Sequence, residues 1–289
     1  MEKVFNSDFY SKLHTLRMSI AISMASGMSG ARKSNAKGNS VEFSDFREYR
    51  LGDDIRRIDW NAYGRFDKLF VKLFMEEKEG LFQIFLDASK SMDFGEKNKS
   101  VCAQRIAGAL SYVVLENSDR LFLNICKEGK ILAYNGMTGM QSFKKVTEYL
   151  ENVTFEGEGD LLSSIKNRDI RKRGMSFLIT DGYCDNLEEV IKYLKFKNQD
   201  VVLCHVLSRE ELDPQFEGTV ELADCETDAF MRMTMSASMM KSYKKRFEAF
   251  LQNTQALCKK YSVIYIPVYS EDSIESIFFA SLSKIATNS

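Results

Sequence analysis

From residue 81 onward, short unbroken apolar runs alternate with longer stretches whose apolar residues recur every three to four positions. LFQIFLD (81–87) has no polar face, the pattern of a strand covered on both sides. Residues 97–116 place Cys102, Ile106, Ala109, Leu110 and Val113 on one helical stripe. RLFLNIC (120–126) and KILAY (130–134) read as two strands joined by a turn at Glu128-Gly129. The pattern then predicts helices over 141–150 and 160–168, a buried strand at MSFLIT (175–180), a helix over 186–195 and another buried strand at DVVLCHVL (200–207). A hairpin-like segment (219–235), a long helix (about 238–260), the strand SVIYIPV (262–268) and a helix over 274–285 complete the chain. Strands alternating with helices imply parallel pairing and right-handed crossovers. The expected fold is therefore α/β: a doubly wound, mostly parallel sheet with helices on both faces. Such sheets place ligand sites at the carboxyl ends of strands, where the strand order reverses.

Residues before 80 break the alternation. They offer an amphipathic helix with Leu13, Leu16, Ile20 and Met24 at helical spacing, a Gly/Ser/Lys/Asn loop (29–40), and a polar, aromatic-rich stretch ending at Glu79. The expected organisation is an N-terminal extension, residues 1–79, packed on a main domain of residues 80–289. The stretch MSIAISMASGMSGA is preceded by Asp8, Lys12, His14 and Arg17, which argues for a surface helix over a signal peptide. No run reaches the ~18 apolar residues that span a bilayer.

Lys and Arg number 40 against 41 Asp and Glu, a net charge of -1, so neither nucleic acid nor an anionic membrane is indicated as the main partner. The six cysteines include no CxxC pair, and only His14 and His205 are available to join them, which disfavours zinc. Several lie in apolar runs and read as small buried hydrophobes of a reducing compartment, so a cytoplasmic location is expected.

The chemistry concentrates after the first strand, which ends FLDASKSM. Asp87, Ser89 and Ser91 stand at alternate positions there, one carboxylate and two hydroxyls suited to a hard cation such as Mg2+ or Mn2+. A later strand ends FLITDGY and puts Asp181 at its own carboxyl end. If those strands are neighbours, two carboxylates share one crevice, and a cation between them would relieve their repulsion. Asp followed by Ser also caps helices in ordinary proteins, which is the structural alternative.

DASKS resembles the Asp-x-Ser-x-Ser signature of von Willebrand factor A domains, and ITDG resembles their second acidic loop. That resemblance implies a metal-ion-dependent adhesion site whose ion keeps one position open for a partner's carboxylate. Ser89 and Ser91 would ligate directly, Asp87 directly or through water, and Asp181 from one layer further out. The family's threonine ligand comes from an intervening loop. The matching stretch here is GEGDLLSSI, with Gly159 in the threonine's place and Asp160 after it, so water or Asp160 would stand in for the missing hydroxyl.

The stretch VEFSDFREYRLGDDIRRIDWNAYGRF is dense in charge and aromatics. Gly52 permits a tight turn, and Phe43, Phe46, Tyr49, Ile58 and Trp60 are candidate anchors to the main domain. Asp53, Asp54 and Asp59 among Arg47, Arg50, Arg56, Arg57 and Arg65 form either a self-satisfying ion network or a partner site. Glu42, Phe43, Arg47, Tyr49, Gly52, Asp53, Asp54, Arg56, Ile58, Asp59 and Trp60 together resemble the signature of the bacterial family known as domain of unknown function 58. The resemblance implies a chaperone-like role beside a MoxR-type AAA+ ATPase in the maturation or assembly of a client protein. It makes Asp53, Asp54, Arg56, Asp59 and Trp60 candidate partner-binding residues. Asp224 and Glu226, in the hairpin-like stretch, resemble an acidic pair of that family and are candidates of the same kind, with a solvated turn as the alternative. Met231, Met233 and Met235 suit either an adaptable binding surface or a half-buried strand, and His205 reads as a core histidine.

No Gly-x-x-x-x-Gly-Lys-Ser/Thr loop and no Gly-x-Ser-x-Gly elbow is present. The expected function is a non-enzymatic protein-binding adaptor. The runner-up is a metal-dependent phosphohydrolase using Asp87 and Asp181. The haloacid dehalogenase version of that chemistry needs a second Asp where Ser89 stands.

Overall fold

The computed structural model describes residues 4–15, 42–75, 79–184, 186–215, 219–223, 230–234 and 236–277. Contacts divide the chain into two compact units, Met1–Ala21 with Gly80–Ser289, and Ile22–Glu79.

In the larger unit, α1 spans residues 7–15. The strands are β3 (Leu81–Asp87), β4 (Arg120–Lys127), β5 (Lys130–Met137), β6 (Gly174–Thr180), β7 (Gln199–Leu207), β8 (Thr219–Ala223), β9 (Phe230–Thr234) and β10 (Ile264–Tyr269), after β1 (Glu42–Glu48) and β2 (Phe70–Met75) of the smaller unit. The helices are α3 (Lys99–Glu116), α4 (Phe143–Glu151), α5 (Leu161–Lys166), α6 (Leu187–Phe196), α7 (Arg209–Leu212) and α8 (Ala237–Lys260), after α2 (Trp60–Phe66) of the smaller unit. Six strands form one sheet in the order β10-β7-β6-β3-β4-β5. All neighbours pair parallel except β4 and β5, which form an antiparallel edge hairpin. Its turn residues Glu128 and Gly129 both have positive φ, the backbone a two-residue hairpin needs.

The apolar runs lack a polar face because helices bury both sides of the sheet. Ile84, Leu86, Phe177, Ile179, Val202 and Val206 belong to one core cluster with residues of α1, α3 and α4. The alternate residues Phe85, Leu178, Val201 and Leu203 belong to a second cluster with α5, α6 and Cys258 of α8. The fold is a doubly wound, mostly parallel α/β sheet with a core on each face. From β3 the chain moves outward through β4 and β5, then returns to β6 on the other side of β3. The strand order therefore reverses between β3 and β6.

The N-terminal helix differs from the sequence expectation. Phe5, Phe9 and Leu13, four residues apart, are buried in the main core, so the start of the chain belongs with residues 80–289 and not with the extension. Its close seat explains a glycine: a Cβ on Gly108 of α3 would stand 2.6 Å from the Phe5 ring. Leu16, Ile20 and Met24 lie outside the described residues. The hairpin-like segment is the antiparallel pair β8 and β9, with Thr219 opposite Thr234. Asp224, Cys225, Glu226 and Met235 lie outside the described residues, as does the expected helix beyond residue 277. Among the described residues, no helix is long and apolar enough to cross a membrane.

The smaller unit is built on the antiparallel ribbon of β1 and β2. Gly52 turns with φ +98°, and Asp53 accepts hydrogen bonds from the Arg47 guanidinium (2.8 Å) and the Arg50 amide (2.8 Å). Asp54 caps the 3-10 turn Ile55–Arg57 and pairs with Arg56 at 3.4 Å. Asp59 caps α2 through the amides of Asn61 and Ala62 and pairs with Lys72 at 3.2 Å. Each carboxylate is thus engaged in local capping and pairing. Ile58 is buried, whereas Trp60, a candidate anchor, is 64% exposed with its ring edge-on to Tyr63.

Candidate functional site

The carboxyl ends of β3 and β6 are neighbours at the reversal point. Asp87, the last residue of β3, is buried, and its two oxygens have separate partners. Oδ1 accepts the Ser89 amide at 3.0 Å and Oδ2 accepts the Thr180 hydroxyl, from the end of β6, at 2.6 Å. The Ser89 and Ser91 hydroxyls lie 3.0 Å apart. Ser89 precedes the 3-10 turn Lys90–Met92 but makes no side-chain cap bond there. Asp87, Ser89 and Asp181 are at most 3% exposed and Ser91 8%, so all four are buried.

Burial, and then the nearby Asp181 charge, push the Asp87 carboxyl up from 3.8 to about 6, against the opposing hydrogen bonds from Thr180 and Ser89. The loop between α4 and α5 is tied to the loop after β3. The Glu156 amide donates to the Ala88 carbonyl (3.1 Å) and the Lys90 amide to the Gly157 carbonyl (3.0 Å). At its end Asp160 caps α5 by accepting the Ser163 amide at 3.0 Å, and Ser163 holds its carboxyl below the usual range. Asp160 is therefore engaged at a helix start.

The family model described as "Protein of unknown function DUF58" matches residues 45–255. The chain belongs to the DUF58 family. Uncharacterized protein Rv1480 of Mycobacterium tuberculosis is 26% identical over 219 residues, covering 73% of this chain and 67% of the relative. Uncharacterized protein Mb1516 of Mycobacterium bovis matches with the same identity and coverage. Two solved structures are similar over 72% of the chain. They are BatB from Bacteroides thetaiotaomicron (16% identity, 98% of that chain, TM-score 0.44) and an aerotolerance-related membrane protein from Bacteroides fragilis (15%, 99%, TM-score 0.45).

Around Asp181 this DUF58 chain brings in Lys99, Glu211 and His205. Asp181 accepts the Tyr183 amide on Oδ1 at 3.2 Å, while Oδ2 meets the Lys99 ammonium at 2.9 Å. Lys99 enters from the first turn of α3, and its Nζ also meets Glu211 Oε1 at 2.7 Å. The Lys99 side chain is 1% exposed, with the Tyr183 and Phe94 rings 5.2 and 5.7 Å from its nitrogen. Glu211 closes a capping box with Ser208 at the start of α7, accepting the Ser208 amide at 2.8 Å. His205, fully buried in β7, holds the Asp181 loop from behind: Nε2 lies 2.7 Å from the Asp181 carbonyl and Nδ1 2.9 Å from the Tyr265 hydroxyl. A carbonyl only accepts, so Nε2 carries the proton and the tyrosine donates to Nδ1. Burial pushes this imidazole down to about 4, which keeps it neutral at physiological pH.

Proposed function

We propose that this DUF58 protein is a non-enzymatic adaptor that captures an acidic side chain of a partner protein in the crevice between β3 and β6. The observation that supports this is the set of oxygens gathered there: a buried carboxylate with its pKa raised to about 6 beside two hydroxyls 3.0 Å apart. Adjacent ligands of an octahedral Mg2+ at about 2.1 Å are about 3.0 Å apart, so Ser89 and Ser91 fit one edge of such a shell. In this reading Asp87, Ser89 and Ser91 would hold Mg2+ or Mn2+, with water in the place of the family's threonine. When bound, the ion supplies a Lewis-acidic position for the partner's carboxylate. Asp87 contributes the negative charge, Thr180 orients it, and His205 fixes the second loop. A MoxR-type AAA+ ATPase acting on a client protein is the proposed partner, as the family resemblance implies. A cytoplasmic setting is proposed too, and it fits the free thiols at Cys102, Cys126, Cys184, Cys204 and Cys258. In the smaller unit, Asp53, Asp54, Arg56, Asp59 and Trp60 remain proposed partner contacts, and Trp60 supplies the exposed aromatic surface.

The test is capture of purified MoxR-type ATPase by the immobilised full chain in Mg2+ and in EDTA, with Asp87→Ala alongside. Capture that needs both the ion and Asp87, in a variant that keeps its circular dichroism, supports the adaptor. Equal capture by both proteins in EDTA would reject the ion-dependent crevice.

A further inference from the structure

Lys99 is a fully buried lysine whose ammonium sits between two carboxylates from two different strand-end loops. Burying an ammonium is unfavourable unless its charge is met, and here Asp181 and Glu211 meet it within 2.9 Å while two aromatic rings exclude water. The arrangement spends the negative charge of Asp181 on a cation that belongs to the protein itself. Asp87 has no such partner among its hydrogen bonds, which come from neutral donors at Thr180 and Ser89. Of the three strand-end carboxylates, Asp181 and Glu211 thus share one internal cation, and Asp87 is left for an outside charge.

We propose that Lys99 sets the divalent-ion affinity of this crevice: its ammonium is a tethered cation that occupies Asp181 and Glu211 and withholds the second acidic loop from the ion. This rests on the reading of Asp87, Ser89 and Ser91 as an ion site. Three consequences follow from the charge count. The loops after β6 and β7 are held in place without any bound metal. An ion facing one carboxylate instead of two binds weakly by itself. It also keeps positive charge that an arriving carboxylate neutralises, which couples retention of the ion to capture of the partner. Lys99 is a positioning and charge-setting residue and does not ligate the ion.

The experiment titrates Mn2+ into the full chain, followed by the loss of the free-ion electron paramagnetic resonance signal, for the native protein, Lys99→Met and Lys99→Met/Glu211→Gln. Glutamine keeps an oxygen for the Ser208 amide, so the double variant removes one uncompensated carboxylate without removing the capping contact. Circular dichroism with and without Mn2+ reports whether each variant folds. The expected result is Mn2+ binding at least about tenfold tighter in the folded variants than in the native chain, or a variant that folds only with Mn2+. Either supports the proposal, even if the native chain binds no Mn2+, an outcome that would count against the native ion site alone. Variants that bind no tighter than the native chain overturn it. So do variants that fold neither with nor without the ion, because a divalent cation then cannot replace the ammonium.

Discussion

Replacing Asp87 with asparagine removes a proton equilibrium that the fold makes unfavourable. Burial and the Asp181 charge raise the Asp87 pKa from 3.8 to about 6. The folded chain therefore holds this proton more tightly than the unfolded chain does. Its contribution to stability is fully present below about pH 4 and is lost as pH rises through about 6. A shift of about two units corresponds to about 3 kcal/mol. The asparagine amide stays neutral throughout. The unfolding free energy of the native protein minus that of Asp87→Asn should thus fall by about 2.5 kcal/mol between pH 4 and pH 8, the remainder lying below pH 4. Urea denaturation followed by circular dichroism in EDTA, at half-unit pH steps, measures it. The subtraction largely cancels groups common to both proteins, including Glu211, whose carboxyl burial also raises. A difference that stays flat, or that grows in favour of the native protein at high pH, would refute the reasoning. Asp87 would then ionise as in water, and the crevice would not be a desolvated, like-charged pocket.

Ser89→Ala and Ser91→Ala each break the hydroxyl pair and should lower stability by only about 1 kcal/mol, yet weaken Mn2+ binding at least about tenfold. Full-strength binding by either variant would take the hydroxyls out of the site. Gly174→Ala should lower stability by about 1–3 kcal/mol in thermal unfolding, because the new Cβ would lie 2.4 Å from the Leu81 carbonyl oxygen on β3. An unchanged midpoint would contradict that close approach. Burial holds the thiols of Cys102, Cys204 and Cys258 up at about 12. Brief iodoacetamide treatment at pH 8 should therefore leave them unmodified by peptide mass mapping while the half-buried Cys184 reacts, and equal labelling would contradict the packing.

The strands that carry the site were legible because LFQIFLD and MSFLIT are mostly apolar on both faces, with Gln83 and Ser176 as buried, hydrogen-bonded exceptions. Asp87, Ser89, Ser91 and Asp181 were legible from their spacing after those strands. Lys99 was not, since a lysine in the polar run Glu96-Lys97-Asn98-Lys99 carries no local sign of burial. Only the three-dimensional path sends Lys99 inward while Lys97 stays exposed. Glu211 carries a readable capping-box pattern in Ser208-Arg209-Glu210-Glu211, but its lysine partner is 112 residues away. A contact of that range leaves no mark on local periodicity. At the N-terminus the stripe read from Leu13 onward omits Phe5 and Phe9, although Phe5, Phe9 and Leu13 share the same four-residue step.

The cluster around α3 holds Phe5, Phe9 and Leu13 as well as Ile274 and Ile277, and the span matched by the family, 45–255, contains none of them. At about 5–20 residues per second, a ribosome needs roughly 15–50 s to synthesise the chain between the first and last of these side chains. The opening phenylalanines must stay unaggregated through that interval, with their final neighbours not yet made. Vectorial synthesis thus delays the sealing of this core until Ile274 and Ile277 have been made.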